Sequence, residues 1–310
     1  MYFSSWLVIV KDCSHSIEKR SISWADDATT FDTSFLTTLK TAVQIVWFPV
    51  KSFLGLAAAS KNTTNKHGKN IEAFYQDQAS AYDSFRENFL HARGPMLTCI
   101  PTNKEGSGVW VDVGGGTARN LEFIPVDVIK HKFKKIYVVD ISPSLLEVAK
   151  ARVETQGLSD IVECVCCDFT DEKSVKKALP KFGTIDVVTF SYSLSMIPDK
   201  AKALDSACKL LKSAGKGTLA VADFFEYSSR EHLLQYPIQW LRWLESRAHK
   251  HWFKCDGVNL LTDKVFEDMI EGNGKLPGPM EKQFEEKFRG SVPLFPILRP
   301  YQGFCLFQKK

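Results

Sequence analysis

Apolar and polar positions change rhythm along the chain, and the middle third carries the clearest pattern. Residues 109–113, 136–140, 161–166, 185–190 and 217–222 are short, nearly continuous apolar runs that read as strands. Between them, residues 117 to about 128, 142 to about 156, 172–179 and 200–211 have helical composition. In the last of these, Ala203, Leu204, Ala207, Leu210 and Leu211 share one face. Ser142 suits an N-cap and Pro143 the first helical position. Strands that are apolar on both faces, each followed by a helix, imply a parallel sheet covered on both sides. The expected fold class is α/β. A final apolar piece, residues 303–308, reads as a closing strand.

The flanks read differently. Residues 1–10 are apolar but lack a basic lead and a cleavage site, so a poorly ordered end is expected rather than a signal peptide. Residues 11–34 are polar and read as a loose lead-in. In residues 35–59, Leu36, Leu39, Val43, Val46 and Trp47 recur at helical spacing, with Lys40 and Lys51 among them. That stretch suits a membrane-interface helix, with the lysines snorkelling, or a helix docked on the protein's own core. The linker 60–69 carries three lysines and tilts the reading toward a membrane surface. The expected organisation is an amphipathic extension over 1–69 and one domain over 70–310. Residues 70–99 read as helix, with Phe74 or Tyr75, Ala79, Tyr82 and Phe85 or Arg86 near one face, until His91–Pro95 closes the pattern. Residues 224–253 are aromatic and basic, and 264–286 are charged, with Gly-Pro turns at 274–279.

Composition narrows the picture only a little. The 310 residues are 44% hydrophobic, enough for one large domain with attachments. A net charge of +4 gives no extended nucleic-acid footprint but suits an anionic membrane surface. No run reaches the roughly 18 uncharged apolar residues of a spanning helix. The eight cysteines are scattered, apart from Cys164, Cys166 and Cys167 on one apolar run. They read as reduced, mostly buried thiols of a cytosol-facing protein, and no metal site is expected.

The candidate chemistry centres on residues 109–120. An apolar run containing Asp112 ends at Gly114, Gly115 and Gly116, and helical composition follows. A glycine turn there lets a ligand approach the main chain at the end of a strand. Asp140 ends the second strand, 24 residues beyond Gly116, where a carboxylate accepts from both hydroxyls of a ribose. Asp168 ends the third, where a carboxylate can accept the amino hydrogens of adenine. A dinucleotide loop wants a third glycine, and Arg119 stands at that place. The spacing of Asp112, Gly114, Gly116 and Ala118 fits a loop for S-adenosyl-L-methionine better. Ile141, Cys167, Phe169 and Ser191 complete the expected cofactor contacts.

Residues 109–223 resemble the class I S-adenosylmethionine-dependent methyltransferases. The segments 74–79, 82–86, 110–117, 190–198, 222–225 and 240–253 narrow the resemblance. They are similar to the methyltransferase part of betaine lipid synthases, over roughly residues 70–307. The most specific piece is Phe190-Ser191-Tyr192-Ser193-Leu194-Ser195-Met196-Ile197-Pro198. The resemblance implies a Rossmann-like, mostly parallel seven-stranded sheet. It implies three methyl transfers to the amino group of diacylglyceryl-homoserine, giving diacylglyceryl-trimethylhomoserine. It also implies an aminocarboxypropyl transferase half, as a partner or a missing fused domain. Tyr192, with Tyr75 and Tyr82, is expected to line the methyl-transfer cavity, and Arg86, Arg93 or Arg242 to grip the substrate carboxylate. The expected place is cytosol-facing and peripheral to a membrane, that of the endoplasmic reticulum in a eukaryote. Two other readings are a methyltransferase for a quinone-like acceptor and a non-catalytic subunit of the same fold.

Overall fold

The computed structural model describes residues 90–100, 106–226, 258–271, 280–290 and 300–310. The chain divides into two units, 1–45 and 46–310, and every described residue belongs to the second. The extension expected over 1–69 and its boundary at 69/70 lie outside the described residues, as do Tyr75, Tyr82, Arg86 and Arg242.

In chain order the elements are α1 (Arg93–Thr98), β1 (Gly108–Val113), a 3-10 turn (Arg119–Phe123), α2 (Val126–Lys132), β2 (Phe133–Asp140), α3 (Pro143–Thr155) and β3 (Val162–Cys166). There follow α4 (Glu172–Ala178), β4 (Val187–Ser191), a second 3-10 turn (Leu194–Met196), α5 (Lys200–Leu210) and β5 (Thr218–Phe224). The last are α6 (Asp263–Glu271), β6 (Met280–Arg289) and β7 (Tyr301–Lys309). The seven strands form one sheet in the order β3-β2-β1-β4-β5-β7-β6. β1 to β5 pair in parallel, and β7 runs antiparallel to β5 and β6. This is the Rossmann-like methyltransferase fold that the strand–helix alternation and the resemblance predict.

Period-2 alternation places neighbouring side chains on opposite faces of the sheet, and here both faces are dry. Trp110, Ile136, Val138 and Val187 face one core, with Met96 and Leu97 of α1, Ile129 of α2, and Leu146, Ala149 and Val153 of α3. Val111, Val113, Val139, Val188 and Phe190 face the other, with Val175 of α4, Ala203, Leu204 and Ala207 of α5, and Phe266 and Met269 of α6. The crossover geometry therefore leaves the C-terminal strand ends open for chemistry, which is where open α/β sheets bind ligands.

Four elements depart from expectation. The helix expected from 117 is split. Ala118 adopts φ +59, a short 3-10 turn follows, and Ile124 is extended before Pro125, as a pre-proline residue prefers. α2 then starts at Val126 and β2 begins at Phe133, three residues early. Residues 70–89 of the expected 70–99 helix lie outside the described residues, and Leu90–Ala92 are not helical. Arg93-Gly94-Pro95 forms the first turn of α1, where the missing N–H of Pro95 needs no partner. β6 hides in the charged stretch. As the outermost strand it turns Glu281, Lys282, Gln283 and Glu285 outward, which blunts an open edge, while Phe284 stacks on Phe304 at 5.2 Å. α6 occupies the same charged stretch.

Because β6 depends on that stacking, Phe304→Ala should lower unfolding free energy by about 3–5 kcal/mol. Chemical denaturation followed by circular dichroism measures it, and an unchanged midpoint would place Phe304 outside the cooperative core.

Candidate active site

β1 delivers the glycine turn. Gly114 N–H and Gly115 N–H donate to Val139 O at 2.7 and 3.1 Å, folding the turn back over the end of β2. Gly114 holds φ +65 and Gly116 φ +55, a region that disfavours side chains. At Gly115 a Cβ would lie 2.8 Å from Val138 Cγ1 and 2.9 Å from Asp112 Oδ2. Glycine is required at 115 by space and favoured at 114 and 116 by backbone angle. Ser193 Oγ donates to Val113 O at 2.6 Å, and the same residue fills the space beside Gly114.

Asp112 sits under the turn, fully buried. Its carboxylate accepts from Thr189 Oγ1 at 2.6 Å and from Asn120 Nδ2 at 3.0 and 2.8 Å. Thr189 is its register partner on β4, and Thr189 Oγ1 accepts in turn from Trp110 Nε1 at 2.8 Å. Desolvation pushes the Asp112 pKa up to about 6, against the pull of those two hydrogen bonds and the charge of Arg93. Asp112 therefore organises the loop from beneath rather than facing solvent.

Asp140, at the end of β2, uses one oxygen on each side of a cradle. Oδ2 accepts from Gly116 N–H and Oδ1 from Ser142 N–H, both at 2.9 Å. A carboxylate has about four acceptor sites, more than these two bonds use. Ser142 caps α3 through Leu145 N–H, as expected. Ile141 is one of two large hydrophobic side chains left exposed among the described residues, beside that carboxylate. An apolar wall next to a diol acceptor suits a nucleoside base. Asp168 is exposed, and its Oδ1 accepts from Thr170 N–H and Thr170 Oγ1 at 2.9 and 2.7 Å. Its Oδ2 stays open. Ser191, ending β4, is buried with its Oγ unpartnered.

The remaining expected residues take other places. Cys167 is buried and its N–H donates to Asp140 O at 3.0 Å, so its backbone holds β3 against β2. Burial and Asp168 push its thiol up to about 11. Cys164 and Cys167 are three apart, a spacing known from metal knuckles, but a thiol so disfavoured as thiolate is a poor ligand. Among the described residues no group of three or more His, Cys, Asp or Glu is placed to hold a metal. Phe169 is buried and meets Phe190 edge-on at 5.9 Å, a core contact. Arg93 is buried, with its guanidinium 5.6 Å from the Phe123 ring centroid. Arg119 turns to Glu122 and Phe123, away from the place a third glycine would have opened. Arg152 of α3 anchors the loop through Thr117 O and Oγ1, at 2.5 and 2.7 Å. Tyr192 is buried at φ +55, its hydroxyl accepting from Ala92 N–H at 2.9 Å and donating to Gln302 Oε1. That hydroxyl is engaged in holding the fold together rather than presented to a substrate.

Asn120, Thr189 and Gln302 are buried polar side chains, bonded to Asp112 or Tyr192, to which the sequence pattern assigned no role. The detectable signal was a polar residue inside an apolar strand: Thr189 within β4 and Gln302 within β7.

Comparison with known proteins decides the family. A model described as the ubiE/COQ5 methyltransferase family matches residues 69–239. The chain belongs to that family. Curated relatives include the ubiquinone/menaquinone biosynthesis C-methyltransferase UbiE of Francisella philomiragia, 27% identical over 164 residues, covering 50% of this chain and 60% of the relative. The same enzyme of Francisella tularensis subsp. novicida is 30% identical over 165 residues, with the same coverage. The chain spans about 60% of the length of the curated relatives it matches. A solved geranyl diphosphate methyltransferase, in complex with GPP and sinefungin, superposes with a TM-score of 0.50 at 14% identity, over 70% of this chain and 77% of that one. That likeness is one of fold.

The family is one of methyltransferases, and the residues fit S-adenosyl-L-methionine as cofactor. The Gly114–Gly116 turn leaves backbone room that a Cβ would fill, Asp140 places a carboxylate beside that turn, and Ile141 offers an apolar wall. Asp168 offers a free carboxylate oxygen for an adenine amino group.

Asp140→Asn should weaken S-adenosylhomocysteine binding by roughly tenfold or more, and Gly115→Ala should weaken it similarly. Isothermal calorimetry reads both. Acid titration tests the buried carboxylates. Asp112 and Asp223 are both pushed up to about 6 by burial. A raised folded pKa means the native state holds the proton more tightly, so the contribution of these two groups to stability is greatest below the ordinary value of 3.8. It falls as pH rises through about 6. Asp112→Asn should flatten that fall, measured as denaturation midpoint against pH.

Proposed function

We propose that this chain transfers methyl groups from S-adenosyl-L-methionine to a small, membrane-borne acceptor over the C-terminal ends of β4 and β5. The family match across the glycine turn, β2, β3 and the β4 loop carries the reading. When bound, the cofactor supplies an electrophilic methyl group on a sulfonium sulfur. Asp140, Ile141 and Asp168 hold the adenosine end, and the turn above Asp112 receives the amino-acid end. No nucleophilic side chain is required. Positioning alone can contribute roughly 7–11 kcal/mol in favourable cases.

The comparisons favour a quinone-like ring as acceptor, since the curated relatives are named for ubiquinone and menaquinone biosynthesis. A second reading rests on the 190–198 segment, which resembles that of betaine lipid synthases and forms the loop directly after β4. It makes the acceptor the amino group of diacylglyceryl-homoserine. Methylated ammonium products suit the aromatic faces of residues 224–253. Arg86, Arg93 and Arg242 are the candidate grips for an acidic group on either acceptor. In both readings the chain sits peripherally on a cytosol-facing membrane through residues 35–59. In the second it works beside an aminocarboxypropyl transferase. Among the described residues no helix is long and apolar enough to cross a membrane.

Purified chain given methyl-labelled S-adenosyl-L-methionine should move label into vesicles carrying one acceptor. Label in a demethylated quinol supports the first reading. Trimethylated diacylglyceryl-homoserine, identified by mass, supports the second. S-adenosylhomocysteine binding with no label in either lipid would favour a non-catalytic subunit.

A further inference from the structure

Gln302 is a fully buried amide in a strand whose other buried residues are apolar or aromatic. Such burial is costly unless the amide is bonded, and its partners come from distant elements. Oε1 accepts from His91 N–H at 3.1 Å and from the Tyr192 hydroxyl, and that hydroxyl accepts from Ala92 N–H at 2.9 Å. Nε2 lies against Gly290, where a Cβ would collide with it. Tyr192 holds a left-handed backbone that a side-chain-bearing residue adopts at a cost. Its N–H donates to Ala222 O at 2.7 Å, and its ring lies 4.9 Å from that of Phe224. Gln302 pairs with Phe224, the last residue of β5. One amide on β7 thus joins the strained residue after β4 to the segment leading into α1.

We infer that Gln302 is a positioning residue. Acting through Tyr192 and Ala92, it sets the acceptor side of the site without setting cofactor affinity. The inference rests on the methyl-transfer reading. Asp140, Ile141 and Asp168 lie at or after the ends of β2 and β3, across β1 from this clasp, and none of them bonds to Gln302. Loss of the clasp should therefore separate methyl transfer from cofactor binding.

The test uses the full chain with Gln302→Leu, Gln302→Glu, Gly290→Ala and Tyr192→Phe. Three quantities are read: S-adenosylhomocysteine affinity by calorimetry, hydrogen exchange over 90–97 and 190–198, and kcat and KM for labelled methyl transfer. The acceptors are vesicles of diacylglyceryl-homoserine and vesicles of demethylated quinol. Gln302→Leu should speed exchange in both segments and cut kcat/KM for the acceptor roughly 10- to 100-fold. Cofactor affinity should stay within about twofold, because no bond to the adenosine cradle is lost. Gly290→Ala should mimic it by displacing Nε2. Gln302→Glu keeps two acceptor oxygens and should recover most of the loss. The double variant of Gln302→Leu with Tyr192→Phe should be no worse than the worse single one. Unchanged exchange in Gln302→Leu, a parallel fall in cofactor affinity, or additive losses would each overturn the inference. If the unsubstituted chain labels neither lipid, the acceptor reading fails, and the exchange and affinity arms still decide the clasp.

Discussion

A carboxylate with no water around it sits under the middle of the sheet, and much of the site follows from satisfying it. Asp112 is fully buried on β1, where an unpaired charge would cost several kcal/mol. Its two oxygens are met by Thr189 and Asn120. Thr189 is a register partner, so the β1–β4 pairing itself delivers one donor. Asn120 lies eight residues ahead, beyond the glycine turn, so its bond closes that turn into a ring of chain. Gly115 has no side chain because Asp112 Oδ2 and Val138 already fill the space. The glycine turn is thus tied to the core beneath it by bonds of the chain's own residues.

The same logic sorts what the sequence made legible. The strand–helix alternation exposed β1 to β5 because parallel strands buried on both faces must be apolar throughout. It missed β6 because an outer edge strand is under the opposite pressure. Its charges keep it from pairing onward, and only Met280, Phe284 and Phe288 betray an inner face. The seventh strand was foreseen through the resemblance, not through composition. The split after the glycine turn was equally hidden. Pro125 gave a break, but the left-handed Ala118 has no signature in a residue that normally favours helix.

For the site, the placement of carboxylates at strand ends was legible. Asp140 and Asp168 stand where ends of parallel strands place them. Residues that act through other residues were not, since Thr189, Asn120 and Gln302 bond across 77, 8 and 110 positions of sequence. Tyr192 shows the middle case. Its motif marked it as important, yet its hydroxyl is bonded on both sides and its backbone is strained. The motif pointed to a position, and the two bonds of its hydroxyl, which join elements far apart in sequence, left no trace in it.

The protonation states narrow the chemistry further. Burial drives the Tyr192 hydroxyl well above its ordinary pKa, so it stays protonated across the physiological range. Asp112 and Asp223 are pushed toward neutrality, and each is bonded within the fold; Asp223 accepts from Ser195 N–H at 2.9 Å and Phe224 N–H at 2.8 Å. None of the three is arranged to take a proton from an acceptor. An amine that arrives neutral, or a phenolic ring that arrives ionised, from its own equilibrium with water needs no such base. Either acceptor would react faster as pH rises toward its own pKa. For an amine, successive methylation changes that pKa, so the pH profiles of the three transfers should separate. A ring carbon methylated once would give a single profile.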